Sequence, residues 1–426
     1  MRDVDPATLP ERMRSAPRVA ALIEAAHEED GLWLVGGAVR DLLLGGDPKD
    51  LDVLVEGDAL AVADRMGARL GGEVEATGRF DTATVRAREV AFDLARARTE
   101  TYPLPGALPE VAPATLEEDL PRRDFTVNAL AAALAAERLG QLRAPAGALD
   151  DLRGAVLRVF HPGSFRDDPT RLLRLARLAA RLSFAPDDGT AALAREAIAA
   201  GALQTVSGPR LGAELRLLAR DPAALPAARC AQEGGVLVSL HPSLHLDERL
   251  TARALALLPS PLVLVASLAR GFERGELLAW LDGLGFEAGD RDAIAAAALD
   301  APVLAAALGA ARRPSEIAFA ARGRPDAGVA LAGALGAEEA SAGRGRFTPA
   351  VPPPGALGAE GAARRWLEEL RHVRLEIGGA DLVAAGVSEG PVIGRALGAA
   401  LRAKLDGEAR GREEELRAAL SGLEAS

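Results

Sequence analysis

The sequence predicts an α+β protein: an N-terminal α/β head followed by a long all-α remainder. Three observations predict it. Residues 31–145 mix short apolar runs with turns and a few helical stretches. From about residue 165 the apolar positions recur almost wholly at helical spacing. One Gly- and Pro-rich stretch, SAGRGRFTPAVPPPGALG over 341–358, interrupts that helical remainder. A chain of 426 residues is long for one domain. The expected division is a helical segment over 1–30, the head over 31–145 and a neck over 146–215. A helical body over 216–340, a linker or long loop over 341–358 and a helical tail over 359–426 complete it.

The elements follow in order. VLVEG (53–57), TATVRA (82–87) and VAFDLA (90–95) read as strands, the last two joined by a turn around Arg88 and Glu89. DPTRLLRLARLAARL (168–182) places Leu172, Leu175, Leu178, Ala179 and Leu182 at helical spacing. Residues 190–335 read as Ala/Leu helices broken by DPAALP, PSP and GLGFEAGD. Gly390-Pro391 opens a helix with Ile393, Leu397, Leu401 and Leu405 on one face, ended by Gly407. No fixed-period repeat is visible.

Composition narrows the function. Apolar residues make up 49% of the chain and aromatics only 3%, so the cores are built from Ala, Leu and Val, without an extended base-stacking platform. The single cysteine, Cys230, excludes an internal disulfide and fits a reducing, cytoplasmic compartment. The N-terminus has no apolar segment of the signal-peptide kind. No run of 18 apolar residues free of charge appears, so no membrane span is expected. The formal net charge is −11, so any RNA must meet local basic faces.

The chemistry concentrates in GLWLVGGAVRDLLLGGDPKDLDVLVEG (31–57). Residues i and i+2 of a strand share a face, so Asp50 and Asp52 aim together, roughly 6–7 Å apart along the backbone. Unscreened, they repel; a cation removes that cost. Paired carboxylates holding two Mg²⁺ ions roughly 3.5–4 Å apart recur in phosphoryl transfer. The Gly36-Gly37 turn lets backbone N–H groups approach phosphate oxygens, and Arg40, one turn on, pairs with phosphate. Together these suggest a nucleoside triphosphate with its metal. The five histidines are scattered. His241 and His245 are four apart, but Pro242 biases the first away from helical geometry and no third ligand stands nearby, so the pair is a weak metal signal.

LVGGAVRDLLLG followed by DLDVLV resembles the first signature of the class II tRNA nucleotidyltransferase and bacterial poly(A) polymerase family. DLPRRDFTVNALA (119–131), FRDDPTRLLRLARLAARL (165–182), SGPRLGAEL (207–215) and the C-terminal stretch 375–416 resemble further stretches of that family in the same order. The likeness is dense over 31–215, patchy over 216–370 and clear again at the end. It implies a polymerase-β-like nucleotidyltransferase head with a helical neck, body and tail. It also implies transfer of NMP from CTP or ATP to an RNA 3′-hydroxyl without a nucleic-acid template, with tRNA as partner and two Mg²⁺ ions as cofactor. No protein partner is readable.

By that resemblance Asp50 and Asp52 are the catalytic, metal-binding carboxylates. Asp93 stands where a third carboxylate is found, to deprotonate the 3′-hydroxyl or support a metal; a solvated strand-face aspartate is the equal alternative. Gly36, Gly37 and Arg40 hold the triphosphate. Arg123 suits a phosphate, Asp124 a ribose hydroxyl, and Asn128 lies one turn further on. Asp168 and Arg171, at i and i+3, present an acceptor and a donor to the Watson–Crick edge of C or A. Arg174 and Arg177 continue the row toward phosphate or base. In the tail, Arg395, Arg402 and Lys404 are candidates for RNA phosphate.

DDPTR, with YPLPGALPEV (102–111) ahead of RRDFT, resembles the branch that holds A-adding enzymes and poly(A) polymerases. The resemblance therefore implies CCA addition or addition of the terminal A alone, with a poly(A) polymerase as the alternative. A non-catalytic RNA-binding protein on this head and an enzyme nucleotidylating a small molecule are alternatives of other classes. No His-Asp doublet of a metal phosphohydrolase is present.

Overall fold

The computed structural model describes residue 2 and residues 4–77, 81–342 and 357–424. The chain divides into two compact units, Met1–Glu214 with Glu233–Leu240, and Leu215–Gln232 with His241–Ser426. The first unit takes in residues 1–214 of the sequence's N-terminal segment, head and neck, and Leu215 begins the second.

The first unit is built on β1 (Leu32–Val35), β2 (Asp52–Val55), β3 (Glu73–Thr77), β4 (Thr82–Arg86) and β5 (Ala91–Arg96). A small hairpin, β6 (Arg98–Thr101) and β7 (Glu110–Pro113), follows, and then β8 (Ala131–Ala133) and β9 (Leu142–Arg143). The main sheet has the order β3-β4-β5-β2-β1-β8-β9, with β6-β7 a separate pair. β1 is buried at all four positions and β2 at its last three, as expected of central strands covered on both faces. β4 and β5 alternate, with Ala83, Val85, Phe92 and Leu94 turned inward. One face packs Trp33, Val35, Leu54 and Ala131 against Leu116 and Leu120.

Register places the site. β1 and β2 are antiparallel with Val35 opposite Asp52, so the glycine turn after Val35 meets the carboxylates at the start of β2. β2 and β5 are parallel with Asp52 beside Asp93. The strand begins at Asp52 rather than before Asp50; still, Asp50 and Asp52 flank the buried Leu51, which keeps them on one side.

The helix expected from Asp168 starts at Arg171 and runs to Leu182. Pro169 is the reason: the residue before a proline is pushed out of helical geometry, and Asp168 sits at φ −130°, ψ 91°. Leu172, Leu173, Ala176 and Leu178 form its buried face.

The second unit is helical. Ala288–Ala310 packs against Asp326–Ala342, Gly358–Glu368 and Pro261–Leu268. By length and composition alone Ala288–Ala310 would also cross a membrane. The charge-free criterion passes over it because of Asp300, which pairs with Arg274 and Arg324. Here Ile294, Ala297, Ala298, Ala301 and Leu308 are buried in the unit's core. In the tail, Pro391–Leu405 buries Ala396 and Ala400 against Leu382 and Ala419, with Ile393 and Leu397 at the margin of that cluster. Most of the 341–358 stretch lies outside the described residues.

Candidate active site

A cavity of about 610 Å³ opens in the first unit. Asp50, Asp52, Gly36, Gly37, Arg40, Arg123, Asp124, Asn128, Asp168, Arg171, Arg174 and Arg177 all line it. Stretches as far apart as Gly36 and Arg177 are thus brought to one hollow. Asp93 lies in an adjoining hollow of about 430 Å³ that shares Asp52, Arg98, Arg122 and Arg123.

Gly36 adopts φ 73°, ψ −135°, a conformation costly for any residue with a Cβ. A Cβ there would also stand 3.2 Å from Arg123 Nη1. Its N–H donates to Leu130 O at 2.9 Å, so it is not a phosphate donor. The first-turn amides of Gly37–Leu43 are left to that task, since a helix gives them no internal partner. Arg40 is 3% exposed; it bonds Asp41 through Nε and Nη2 and Asn128 Oδ1 through Nη1.

Arg123 donates to Asp119 Oδ2 at 3.0 Å, while its buried Nε has no acceptor among the described residues. Burial pulls this guanidinium below its usual pKa, against the charge of Asp119. An orphaned buried N–H on a cation beside a glycine turn is a place for an anionic oxygen. Asp119 is wholly buried and also accepts from Arg122 and the Arg98 amide. Glu100 joins it, accepting from Arg98, Arg122 and the Tyr102 hydroxyl.

Asp124 saturates its acceptor positions. Oδ2 accepts from Arg174 Nε and Nη2 at 2.9 and 2.7 Å; Oδ1 accepts from Asn128 Nδ2 and the Phe125 amide at 2.9 and 2.8 Å. Burial alone would raise its pKa, but Arg174 and these hydrogen bonds hold it at about 2. A ribose hydroxyl would have to displace one of these bonds, so in this structure Asp124 positions Arg174 and Asn128. Arg174 also reaches Glu214 at 3.3 Å.

Asp168 Oδ1 accepts from the Thr170 amide and hydroxyl and from Arg210 Nη2; no bond engages Oδ2 among the described residues. Arg171 donates to Ser164 Oγ and to Arg122 O. The acceptor and donor expected at i and i+3 therefore share the cavity, although only the second is on the helix.

Asp52 is pushed above the usual aspartate pKa, first by desolvation and then by the charges of Asp93 and Asp50, against the pull of Arg123. Crowded carboxylate oxygens next to an anion-binding turn suit Mg²⁺, which uses one or two protein carboxylates and fills its shell with phosphate and water. Among the described residues no cluster of three or more His, Cys, Asp and Glu side chains is gathered for a metal, so the protein's share would be that small. Asp93 accepts from Thr84 Oγ1 at 2.5 Å. His241 and His245 lie on the loop before Glu248–Leu257, His241 stacked on Phe272 at 4.2 Å.

Sequence reasoning missed Lys49, Arg98, Glu100, Tyr102, Arg181, Arg210 and Glu214, which also line the cavity. The tail candidates fare unevenly. Lys404 is tied to the buried Glu415 at 2.5 Å and to Glu376 at 3.4 Å, and Arg402 lies over the Phe319 ring at 4.9 Å. Arg395 is exposed, with no side-chain bond among the described residues.

Residues 32–158, which carry the sheet, the glycine turn and the RRDFT segment, match the family described as the Poly A polymerase head domain. Over that span the head is similar to a poly A polymerase head domain. Among curated relatives, the A-adding tRNA nucleotidyltransferase of Aquifex aeolicus is 39% identical over 225 residues, 53% of this chain and 27% of that one. That of Halalkalibacterium halodurans is 42% identical over 200 residues, 46% and 47% of the two chains. The CC-adding tRNA nucleotidyltransferase of Deinococcus radiodurans is 40% identical over 230 residues, 54% and 60% of the two chains. This chain thus spans less than two thirds of the length of each. Among solved structures, the Thermotoga maritima CCA-adding enzyme complexed with tRNA superposes with a TM-score of 0.71 at 26% identity, covering 99% of both chains. A CCA-adding enzyme complexed with ATP gives 0.73 at 26% identity, again over 99% of both. Poly A polymerase-type head and helical remainder together make the fold of a CCA-adding enzyme.

Proposed function

We propose that this chain is a template-independent nucleotidyltransferase that extends tRNA 3′ ends from CTP or ATP, adding CCA or the terminal A alone. One observation carries the reading: Asp50 and Asp52, the strained Gly36 turn and Arg123 line one cavity with the Asp168–Arg171 pair. The names of the relatives support it, as do the neighbours in complex with tRNA, ATP and CTP.

In this reading the first-turn amides of Gly37–Leu43, Arg40 and the Arg123 guanidinium hold the triphosphate. Asp168 Oδ2 accepts the exocyclic amino group that C and A share in position, and Arg171 donates to the neighbouring ring nitrogen; U and G present the reverse pattern. Asp124 and Asn128 fix Arg174 and Arg40 against the cavity wall. Asp93, beside Asp52 in register, takes the proton from the RNA 3′-hydroxyl or aids metal binding. Asp50 and Asp52 would hold Mg²⁺, which when bound supplies charge neutralisation at the α-phosphate. The 3′-oxygen bonds to the α-phosphorus and the bond to the β-phosphate oxygen breaks, releasing pyrophosphate.

The test is incorporation on two tRNA transcripts, one ending at the discriminator base and one in CC, with Mg²⁺ and CTP or ATP. Gain of C by the first and of one A by the second identifies CCA addition. Extension of the CC-ended transcript alone, by one A, identifies the A-adding half of a split system. Continued A addition identifies a poly(A) polymerase. No incorporation on either would overturn the catalytic reading.

A further inference from the structure

Arg171 is 5% exposed, and a guanidinium so deeply placed ordinarily has a carboxylate against it. This one makes no ion pair among the described residues. Its bonds go to neutral acceptors: Nη1 donates to Ser164 Oγ at 2.5 Å and Nη2 to the Arg122 carbonyl at 2.6 Å. The nearest carboxylate in sequence, Asp168, pairs with Arg210 Nη2 at 2.9 Å instead. The ion pair that would cancel the two charges on one helix face is therefore not made. An acceptor and a donor stay separate in the cavity that both line.

A guanidinium is a flat fork of five N–H donors. Acceptors on both terminal nitrogens fix its plane and leave three N–H groups uncommitted. One of those acceptors, the Arg122 carbonyl, is backbone and comes with the fold. The other is a side chain, and Ser164 is the one side chain hydrogen-bonded to Arg171 among the described residues. Ser164 is wholly buried and is not among the residues that line the cavity, so it does not itself meet a nucleotide there. A buried hydroxyl costs stability unless it is bonded, and this one is bonded to the residue that faces the base. The backbone carbonyl of Ser164 also accepts from the Asp168 amide at 3.2 Å, so one buried residue touches both members of the pair.

We propose that Ser164 is a positioning residue for base selection: its hydroxyl fixes the Arg171 guanidinium, and through it which nucleoside triphosphates the cavity accepts. The inference rests on the base-reading role proposed above for Asp168 and Arg171. With Arg171 held in place, U and G set donor against donor and acceptor against acceptor. Released from Ser164, the guanidinium swings out of that clash. U and G then lose part of their penalty, while C and A lose a well-placed bond.

The experiment titrates ATP, CTP, GTP and UTP, each with Mg²⁺, into the full-length wild type, Ser164→Ala, Arg171→Ala and the double variant. Incorporation of each nucleotide on a CC-ended and a discriminator-ended tRNA is measured alongside. The readout is the affinity for ATP or CTP, whichever binds tighter, divided by the affinity for GTP or UTP. S164A should narrow that ratio by roughly tenfold, the worth of one hydrogen bond to a charged group. In the R171A background S164A should narrow it no further, because no guanidinium is left to hold. A merely structural serine would act alike in both backgrounds. An unchanged ratio in S164A, or one narrowed by the same factor with and without Arg171, overturns the proposal. If R171A narrows the ratio and S164A does not, this inference alone fails. If R171A leaves the ratio unchanged, the base-reading role fails and takes the inference with it. If the wild type incorporates nothing, the transfer reading fails, and the nucleotide affinities still decide the role of Ser164.

Discussion

Asp124→Asn tests the most heavily engaged charge in the cavity. The carboxylate is 7% exposed and accepts two bonds from Arg174 and one each from Asn128 and the Phe125 amide. An asparagine must turn an NH₂ either to the Arg174 guanidinium or to Asn128 and Phe125, so one donor always meets another donor. Removing one member of a buried ion pair costs about 3–5 kcal/mol. Part of that cost is linked to pH, and its sign is fixed. The folded pKa, about 2, lies below the unfolded value of 3.8, so the carboxylate stabilises the fold above the unfolded pKa and loses that contribution as pH falls through the folded one. That lowering amounts to about 2 kcal/mol at pH 7, of which about half is gone at pH 3. Urea unfolding of both proteins at pH 7, 5 and 3, followed by circular dichroism, reads this directly. The gap between wild type and variant should be several kcal/mol at pH 7 and should narrow by about 1 kcal/mol at pH 3. A gap under 1 kcal/mol, or one that does not change with pH, would refute the reasoning.

Three further outcomes are expected. Gly36→Ala forces a Cβ into a backbone region that costs about 1–3 kcal/mol and pushes on Arg123, so both thermal stability and ATP affinity should fall. An unchanged melting temperature would mean that the turn relaxes freely. Because Asp52 is held above the usual aspartate pKa, its anion should be lost on acidification at a higher pH than an ordinary carboxylate's. The acid limb of the activity profile should lie correspondingly high, and Asp93→Asn should move the midpoint of Mg²⁺ binding to lower pH by removing a like charge. Lys404→Ala strands the wholly buried Glu415, whose carboxyl is held low chiefly through Lys404 against the cost of burial. It should cost about 1–3 kcal/mol of stability while tRNA affinity stays unchanged; weakened RNA binding with full stability would restore the RNA role.

What was legible in the sequence was local. The Gly36-Gly37 turn, Asp50 and Asp52 lie within 17 residues, and their chemistry is written in spacing. Pro169 also carried its message: it predicts that Asp168 is extended, yet the apolar period of the following residues extends the helix one turn too early. The missed residues depend on partners far along the chain. Arg210 is 42 residues from Asp168, and Glu214 is 40 from Arg174. Glu100 and Arg98 had a weak signal, since Arg98, Glu100 and Tyr102 alternate along one strand face. Lys404 shows the opposite limit. A lysine on a surface-like helix face says nothing of the glutamate eleven residues on that folding buries against it.

The central claim is that the first cavity transfers a nucleotide to a tRNA 3′ end through Asp50 and Asp52. The most direct measurement is a single-turnover experiment with α-labelled ATP, Mg²⁺ and a CC-ended tRNA, comparing wild type with Asp50→Ala and Asp52→Ala. The account predicts one labelled AMP joined to the wild-type tRNA, loss of transfer by at least about a thousandfold in either variant, and unchanged tRNA binding in all three. Transfer that survives both substitutions, or a wild type that binds tRNA and ATP and joins nothing, would contradict it.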